Sequence, residues 1–85
     1  LMQYDPGDLI EVITPFTIFD QSQLITGPYR ALQWKERLMV LSVDQTRWDE
    51  KKYLLLSTDN KRIYNIYVQS QREYNEFIKY TNKLS

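Results

Sequence analysis

The 85 residues have a mass of 10.3 kDa, enough for one domain over 1–85 with a thin core. Eleven lysines and arginines balance eleven aspartates and glutamates, so no net charge attracts polyanions. Cysteine and histidine are absent, which excludes disulfides, cysteine–histidine zinc sites and histidine acid–base catalysis. The longest apolar run is four residues, too short for a bilayer. We therefore expect an intracellular, cytoplasmic chain that needs no membrane and no cofactor.

The first predicted element is a strand over 8–14, where branched residues follow the turn signal Pro6-Gly7. Ile10 and Val12 alternate with their neighbours, so both should point to one side of the sheet. Pro15 has no amide hydrogen for a strand ladder. The strand should therefore end there or lie at an edge.

The middle of the chain predicts further short strands. Residues 16–19 and 24–26 flank four polar residues, which is typical of a hairpin. Extended segments should follow at 29–34 and 37–43, either as two strands or as one long strand bent at Lys35-Glu36. Alternation in the second segment places Met39, Leu41 and Val43 on one face. A polar loop is expected over 44–52.

The clearest predicted hairpin joins 53–58 to 61–69 through Asp59-Asn60, two residues that tolerate positive φ. A two-residue loop sets the register, so that Leu56 faces Ile63 and Tyr53 faces Ile66. Both faces of this hairpin are apolar, whereas a sheet with one wet side should alternate apolar with polar. The first face holds Tyr53, Leu55, Tyr64, Ile66 and Val68, and the second holds Leu54, Leu56, Ile63 and Tyr67.

A C-terminal helix is predicted over about 70–82. Ser70 and Glu73 have the spacing of a capping box, in which each side chain accepts a backbone N–H of the first turn. The apolar stripe then follows helical spacing at Tyr74, Phe77, Ile78 and Thr81. The helix stripe could cover the second face of the hairpin; the alternative is that a partner protein covers it.

Five or six short strands and one helix favour a small antiparallel barrel, because closure removes open sheet edges. The segment from Pro6 to Val12 resembles the first strand of SH3-like barrels, with Ile10 and Val12 as its inward pair. The hairpin at 16–26 lies where those barrels carry their long first loop. The tryptophan pair and the Pro-x-x-Tyr segment of true SH3 domains are missing. The resemblance therefore implies an SH3-like architecture and not proline-rich peptide binding.

Catalysis is not expected. The acidic pairs Asp5/Asp8 and Asp49-Glu50 lie in turn or loop segments, and their spacing does not resemble a calcium loop. Nucleophilic side chains lack a histidine base, and the two glycines form no phosphate-binding loop. We therefore predict neither a catalytic residue nor a metal site.

The aromatic residues are the strongest candidates for binding. Trp34 adjoins Lys35-Glu36-Arg37, and Trp48 lies in the charged segment 47–50. A loop tryptophan can fold back over the end of a barrel, or it can anchor a partner. Candidate partner-binding residues are therefore the two tryptophans together with the second hairpin face: Trp34, Trp48, Leu54, Leu56, Ile63 and Tyr67.

Nucleic-acid binding is the alternative. Single-strand sites combine cations with stacking aromatics, and such residues interleave over 47–64. The cations are Arg47, Lys51, Lys52, Lys61 and Arg62. Against this, the register places Lys52 and Lys61 at opposite ends of one strand. The sequence therefore favours a non-catalytic interaction module that binds another protein or itself, such as a small subunit or adaptor of a bacterial or phage assembly.

Overall fold

The computed structural model describes residues 4–20, 29–48, 50–59 and 61–85. Every neighbouring pair of strands is antiparallel, in the order β3-β2-β6-β5-β4-β1-β7. The predicted mainly β chain with a C-terminal helix is confirmed, although the described residues form seven strands instead of five or six. The elements are β1 (Leu9–Val12), β2 (Phe16–Asp20), β3 (Tyr29–Leu32), β4 (Arg37–Arg47), β5 (Glu50–Ser57), β6 (Ile63–Val68), α1 (Gln71–Lys79) and β7 (Thr81–Lys83).

The sheet curves around one hydrophobic core. A flat sheet of seven strands would be about 30 Å wide, so its two ends could not share buried contacts. Here Leu32 of β3, Val12 of β1 and Phe77 of α1 belong to the same buried cluster. We call the side that faces this core the inner face and the opposite side the outer face.

Strand β1 forms as the alternation predicts. Ile10 and Val12 are both fully buried on the inner face. The strand lies between β4 and β7, with Ile10 opposite Leu38 on one side and Lys83 on the other. Pro15 falls between β1 and β2, outside both ladders.

Strand β2 pairs with β3 and with β6. Phe16 faces Leu32, and Asp20 faces Ile66 across the other edge. The second strand of the predicted hairpin, 24–26, lies outside the described residues. The observed hairpin partner of β2 is therefore the segment at 29–32.

A β-bulge after Val40 reverses which side chains of β4 point to the inner face. Leu38 and Val40 are buried, but the register shifts between Val40 and Ser42. Val43 then lies opposite Tyr53 and packs against the core. The predicted common face for Met39, Leu41 and Val43 is wrong for Val43, because the extra residue inverts the alternation.

The predicted polar loop over 44–52 is also wrong. Strands β4 and β5 continue through it as a long hairpin, with Asp44 opposite Lys52 and Arg47 opposite Glu50. Opposite charges on facing positions stabilise a ladder that lacks a core of its own. Trp48 lies at the turn of this hairpin.

The β5–β6 hairpin has the predicted register: Leu56 faces Ile63, and Tyr53 faces Ile66. The turn differs from a two-residue loop, because Lys61 donates its backbone N–H to the Ser57 carbonyl at 2.9 Å and has a φ of 62°. Strand pairing is thus fixed by the apolar pattern, while the turn adopts another conformation.

Helix α1 begins as predicted and ends earlier. Ser70 Oγ accepts the Glu73 N–H at 3.1 Å, and Glu73 Oε1 accepts the N–H of Gln69 at 3.2 Å. Thr81 leaves the helix and starts β7, which pairs with β1. The predicted end near residue 82 is wrong, because residues 81–83 pair with β1 as a strand.

Candidate partner-binding surface

Helix α1 covers the inner face of the sheet and not the outer one. The fully buried Phe77 ring lies 5.1 Å from the ring of Tyr53 and 5.6 Å from that of Tyr4, measured between centroids. Phe16 of β2 packs on the same ring at 6.1 Å. Tyr53 belongs to the first face of the β5–β6 hairpin. The interpretation that the helix covers the second face is therefore wrong.

The outer face carries an apolar row that crosses the four strands β1, β4, β5 and β6. Leu9 faces Met39, Met39 faces Leu56, and Leu56 faces Ile63. Leu84 extends the row beyond β7, because its N–H donates to the Leu9 carbonyl at 2.7 Å. We call these five residues, Leu9, Met39, Leu56, Ile63 and Leu84, the outer row.

Residues of the outer row remain accessible to solvent. Ile63 is 54% exposed, Met39 and Leu84 are exposed to a smaller extent, and Leu9 and Leu56 are half-buried by their neighbours. Leu41, in the β4 bulge, is a further exposed apolar residue. Within the described part of the chain, no helix lies over this row.

The other two predicted residues of this hairpin face lie beside polar neighbours. Leu54 is half-buried between Ser42 and Asn65. Tyr67, also half-buried, lies opposite Lys52. The structure thus places Leu54, Leu56, Ile63 and Tyr67 on one face, but only Leu56 and Ile63 belong to the continuous apolar row.

Sequence reasoning missed Leu9, Met39 and Leu84 as members of this surface. Each lies on a different segment of the chain, and their alignment depends on the pairings of β1 with β4 and β7. The alternation in β1 and β4 does indicate that the chain neighbours of the buried Ile10 and Leu38 point to the outer face. That signal identifies the face, but not which residues lie next to one another.

Trp34 lies at a different site, in the connection between β3 and β4. It is 63% exposed, and the Lys35 ammonium lies 4.5 Å from the centre of its ring. A cavity of about 430 Å³ borders it, which also reaches Ser57 and Asp59 at the β5–β6 turn.

Arg30 and Glu36, two of the charged residues at this cavity, bind each other. Arg30 Nη2 donates to Glu36 Oε2, and the Arg30 guanidinium lies 3.9 Å above the ring of Tyr64. Glu36 Oε1 also accepts the backbone N–H of Gln33 at 3.1 Å. This network holds the β3–β4 connection in place.

Trp48 lies at the turn of the β4–β5 hairpin and is 89% exposed. It does not fold back over the end of the core, which was one of the two sequence interpretations. A separate pocket of about 290 Å³ lies between this residue and the start of α1. The two tryptophans thus line different cavities.

The basic residues do not form one patch. Arg47, Lys51 and Lys52 lie at the Trp48 end of β5, while Lys61 and Arg62 follow its other end. Arg47 Nε is 4.0 Å from Glu50 Oε1, and the Lys51 ammonium lies 5.0 Å from the centre of the Tyr74 ring. The two groups of basic residues therefore lie at opposite ends of β5, as the strand register predicts.

Three tyrosines around α1 have raised pKa values. Burial is the largest cause and raises the pKa of Tyr53, Tyr4 and Tyr74 above the usual value of 10. Tyr4 and Thr81 share a buried hydrogen bond of 2.6 Å between their hydroxyl oxygens. These groups fasten the helix to the sheet and remain neutral at ordinary pH.

The described ranges lack two other kinds of feature. They contain neither a group of three acidic residues placed to hold a metal ion nor a helix long and apolar enough to span a membrane. The sequence matches no protein-family model, and neither a curated protein nor a solved structure matches it significantly.

Proposed function

We propose that this chain is a non-catalytic protein–protein interaction module, a small subunit or adaptor whose partner packs on the outer row. The observation that carries the proposal is an aligned apolar row across four adjacent strands that continues past the end of β7: Leu84, Leu9, Met39, Leu56 and Ile63. A partner that covers this row would remove a continuous apolar strip from water.

The dimensions of the outer row suit a protein surface better than a small molecule. Five neighbouring chain segments at about 4.8 Å spacing extend over roughly 19 Å, on the convex side of a curved sheet. Small-molecule sites are concave and bury most of the ligand, whereas contiguous exposed apolar patches typically mark protein contacts. The partner is another protein or a second copy of the chain.

An SH3-like barrel is the architecture that best accommodates this function. Five of the strands lie in the order β6-β5-β4-β1-β7, with the final short strand returning beside the first after a helix. The β2–β3 hairpin is inserted between β1 and β4, where SH3-like barrels have their long first loop. This strand order supports the resemblance that the Pro6–Val12 segment suggests.

A capture experiment with matched baits tests the proposal. The tagged chain, the variant Met39→Thr/Leu56→Thr/Ile63→Thr and the variant Ile13→Thr are each used on cell lysate, with and without nuclease. Threonine keeps the β propensity while it removes apolar surface. Ile13 is an exposed residue that follows β1 outside the outer row, so it controls for the loss of a surface aliphatic side chain.

We expect the unchanged chain and Ile13→Thr to retain a stoichiometric protein after nuclease treatment, or to self-associate in sedimentation, and the triple variant to lose this. Equal capture by all three baits would contradict the proposed surface. Recovery of nucleic acid, with protein lost after nuclease, would instead favour the alternative that Arg47, Lys51, Lys52, Lys61 and Arg62 bind nucleic acid.

A further inference from the structure

The strand register creates a notch beside Trp48. Lys51 faces Val68, the last residue of β6, so Arg47, Trp48 and Glu50 lie beyond the point where β6 ends. The chain then turns into α1 at Ser70. A pocket of about 290 Å³ remains between the projecting hairpin and the first turn of the helix. We call it the tip pocket.

The lining of the tip pocket combines aromatic surface with one positive charge. Trp48, Tyr74 and the buried Val68 line it with aromatic and apolar side chains. Ser70 and Gln71 add polar groups at the rim. Lys51 is the charged residue among those that line the pocket.

The exposed tryptophan is held by bonds across the hairpin tip. Gln45 Nε2 donates to the Trp48 carbonyl at 2.9 Å, and Thr46 Oγ1 donates to Glu50 Oε1 at 2.5 Å. A backbone fixed before binding loses less conformational entropy when a ligand arrives. The ring is therefore presented on an ordered support.

Glu50 and Glu73, the acidic neighbours of Lys51 and Tyr74 in the chain, do not line the tip pocket. Glu50 accepts from Thr46, and Glu73 accepts the N–H of Gln69. Among the described residues, no carboxylate lies within 4.0 Å of the Lys51 ammonium, which instead lies over the Tyr74 ring. Among the described residues that line the pocket, the one formal charge is therefore the positive charge of Lys51.

We propose that the tip pocket binds an acidic peptide segment, with one aromatic or aliphatic side chain between Trp48 and Tyr74 and a carboxylate beside Lys51. The proposal rests on the interaction role proposed above and adds a second, chemically different contact to it. A partner could engage the outer row and the tip pocket together. Each contact nevertheless has its own residues and its own test.

The test uses the whole chain and capped tripeptides, observed through the two indole N–H signals in ¹⁵N-correlated NMR spectra. The probe is Ac-Glu-Phe-Glu-NH₂, with Ac-Lys-Phe-Lys-NH₂ and Ac-Glu-Ala-Glu-NH₂ as controls for charge and for the aromatic anchor. Trp34 provides an internal reference, because it borders a different cavity. The variants are Lys51→Gln and, as its matched control, Lys52→Gln, which removes a neighbouring charge that does not line the pocket.

We expect the acidic phenylalanine peptide to shift the Trp48 signal in a saturable way and to leave Trp34 unchanged. Lys51→Gln should weaken binding about fivefold, the equivalent of about 1 kcal/mol, while Lys52→Gln should change it by less than about twofold. The triple outer-row variant should bind the peptide like the unchanged chain. An unmoved Trp48 signal, equal shifts at both tryptophans, or equal losses from both lysine variants would overturn the proposal and leave the outer-row proposal standing.

Discussion

The two faces of the β5–β6 hairpin have similar apolar composition and different surroundings. On the inner face Tyr53, Leu55 and Ile66 are fully buried, while Ile63 on the outer face is mostly exposed. The difference does not come from the hairpin itself. The rest of the chain folds over one face, since the curved sheet and Phe77 of α1 enclose that side alone. An apolar strand face is therefore a core only where the tertiary fold closes over it.

The largest loss of stability is expected from Phe77→Ala, which removes the helix side chain that covers the inner face. The ring contacts Tyr53, Tyr4 and Phe16, so the substitution opens a cavity between the helix and the sheet. We expect a loss of about 3–5 kcal/mol in the free energy of unfolding. Urea unfolding followed by far-UV circular dichroism measures it, and a loss below about 1 kcal/mol would show that α1 does not close the core.

A smaller loss of stability is expected at high pH, and it comes from Tyr53 on the inner face. Burial raises the pKa of Tyr53, so the folded chain keeps a proton that the unfolded chain releases above pH 10. Stability from this group is present below pH 10 and falls as pH rises, by at most about 1.4 kcal/mol per pH unit.

Urea midpoints at pH 8 and pH 11 measure this fall, and Tyr53→Phe should reduce it. Tyr29→Phe is the matched control, because Tyr29 is an exposed tyrosine of β3. An equal fall in the unchanged chain and both variants would contradict the buried, neutral state of Tyr53.

Ser70→Ala tests the attachment of the helix to the end of β6. Its Oγ accepts the Glu73 N–H, and loss of such a cap costs about 1 kcal/mol. Ser70→Asp should retain most of the stability, because aspartate is also a good cap. Thermal unfolding compares the three proteins; alanine and aspartate variants of equal stability would exclude a capping role.

The smallest effect is expected from Ile63→Thr, the outer-face counterpart of Phe77→Ala. Exposed substitutions away from special features change stability by about 0.5 kcal/mol or less. Urea unfolding of the isolated chain should therefore hardly distinguish this variant from the unchanged protein. A loss above about 2 kcal/mol would mean that Ile63 is buried within the folded chain and that the outer row is a second core.

Local patterns predicted the parts of the fold that depend on near neighbours. The β5–β6 register follows from apolar residues on both strands, and the start of α1 follows from Ser70 and Glu73. In both cases the interacting groups are close in sequence, so spacing alone specifies the contacts.

The sequence predictions are wrong where long-range strand pairing, and not the local pattern, determines the conformation. Thr81 continues the helical stripe in sequence, but the β1 ladder draws it into β7. The bulge between Val40 and Ser42 brings Val43 onto the inner face, which alternation does not predict. The candidate surface was found in part for the same reason: Leu56 and Ile63 belong to one hairpin, whereas Leu9, Met39 and Leu84 join them only through long-range pairing.

Solvent access to the methyl groups of Ile63 and Ile66 tests the central claim most directly. A soluble paramagnetic agent, added to the isolated chain at low concentration, broadens NMR signals of exposed methyl groups. We predict strong broadening at Ile63 and little at Ile66, and protection of Ile63 once the captured partner or a second copy is bound. An Ile63 methyl group that is as protected as Ile66 in a monomeric chain would contradict the account, because the outer row would then be covered from within.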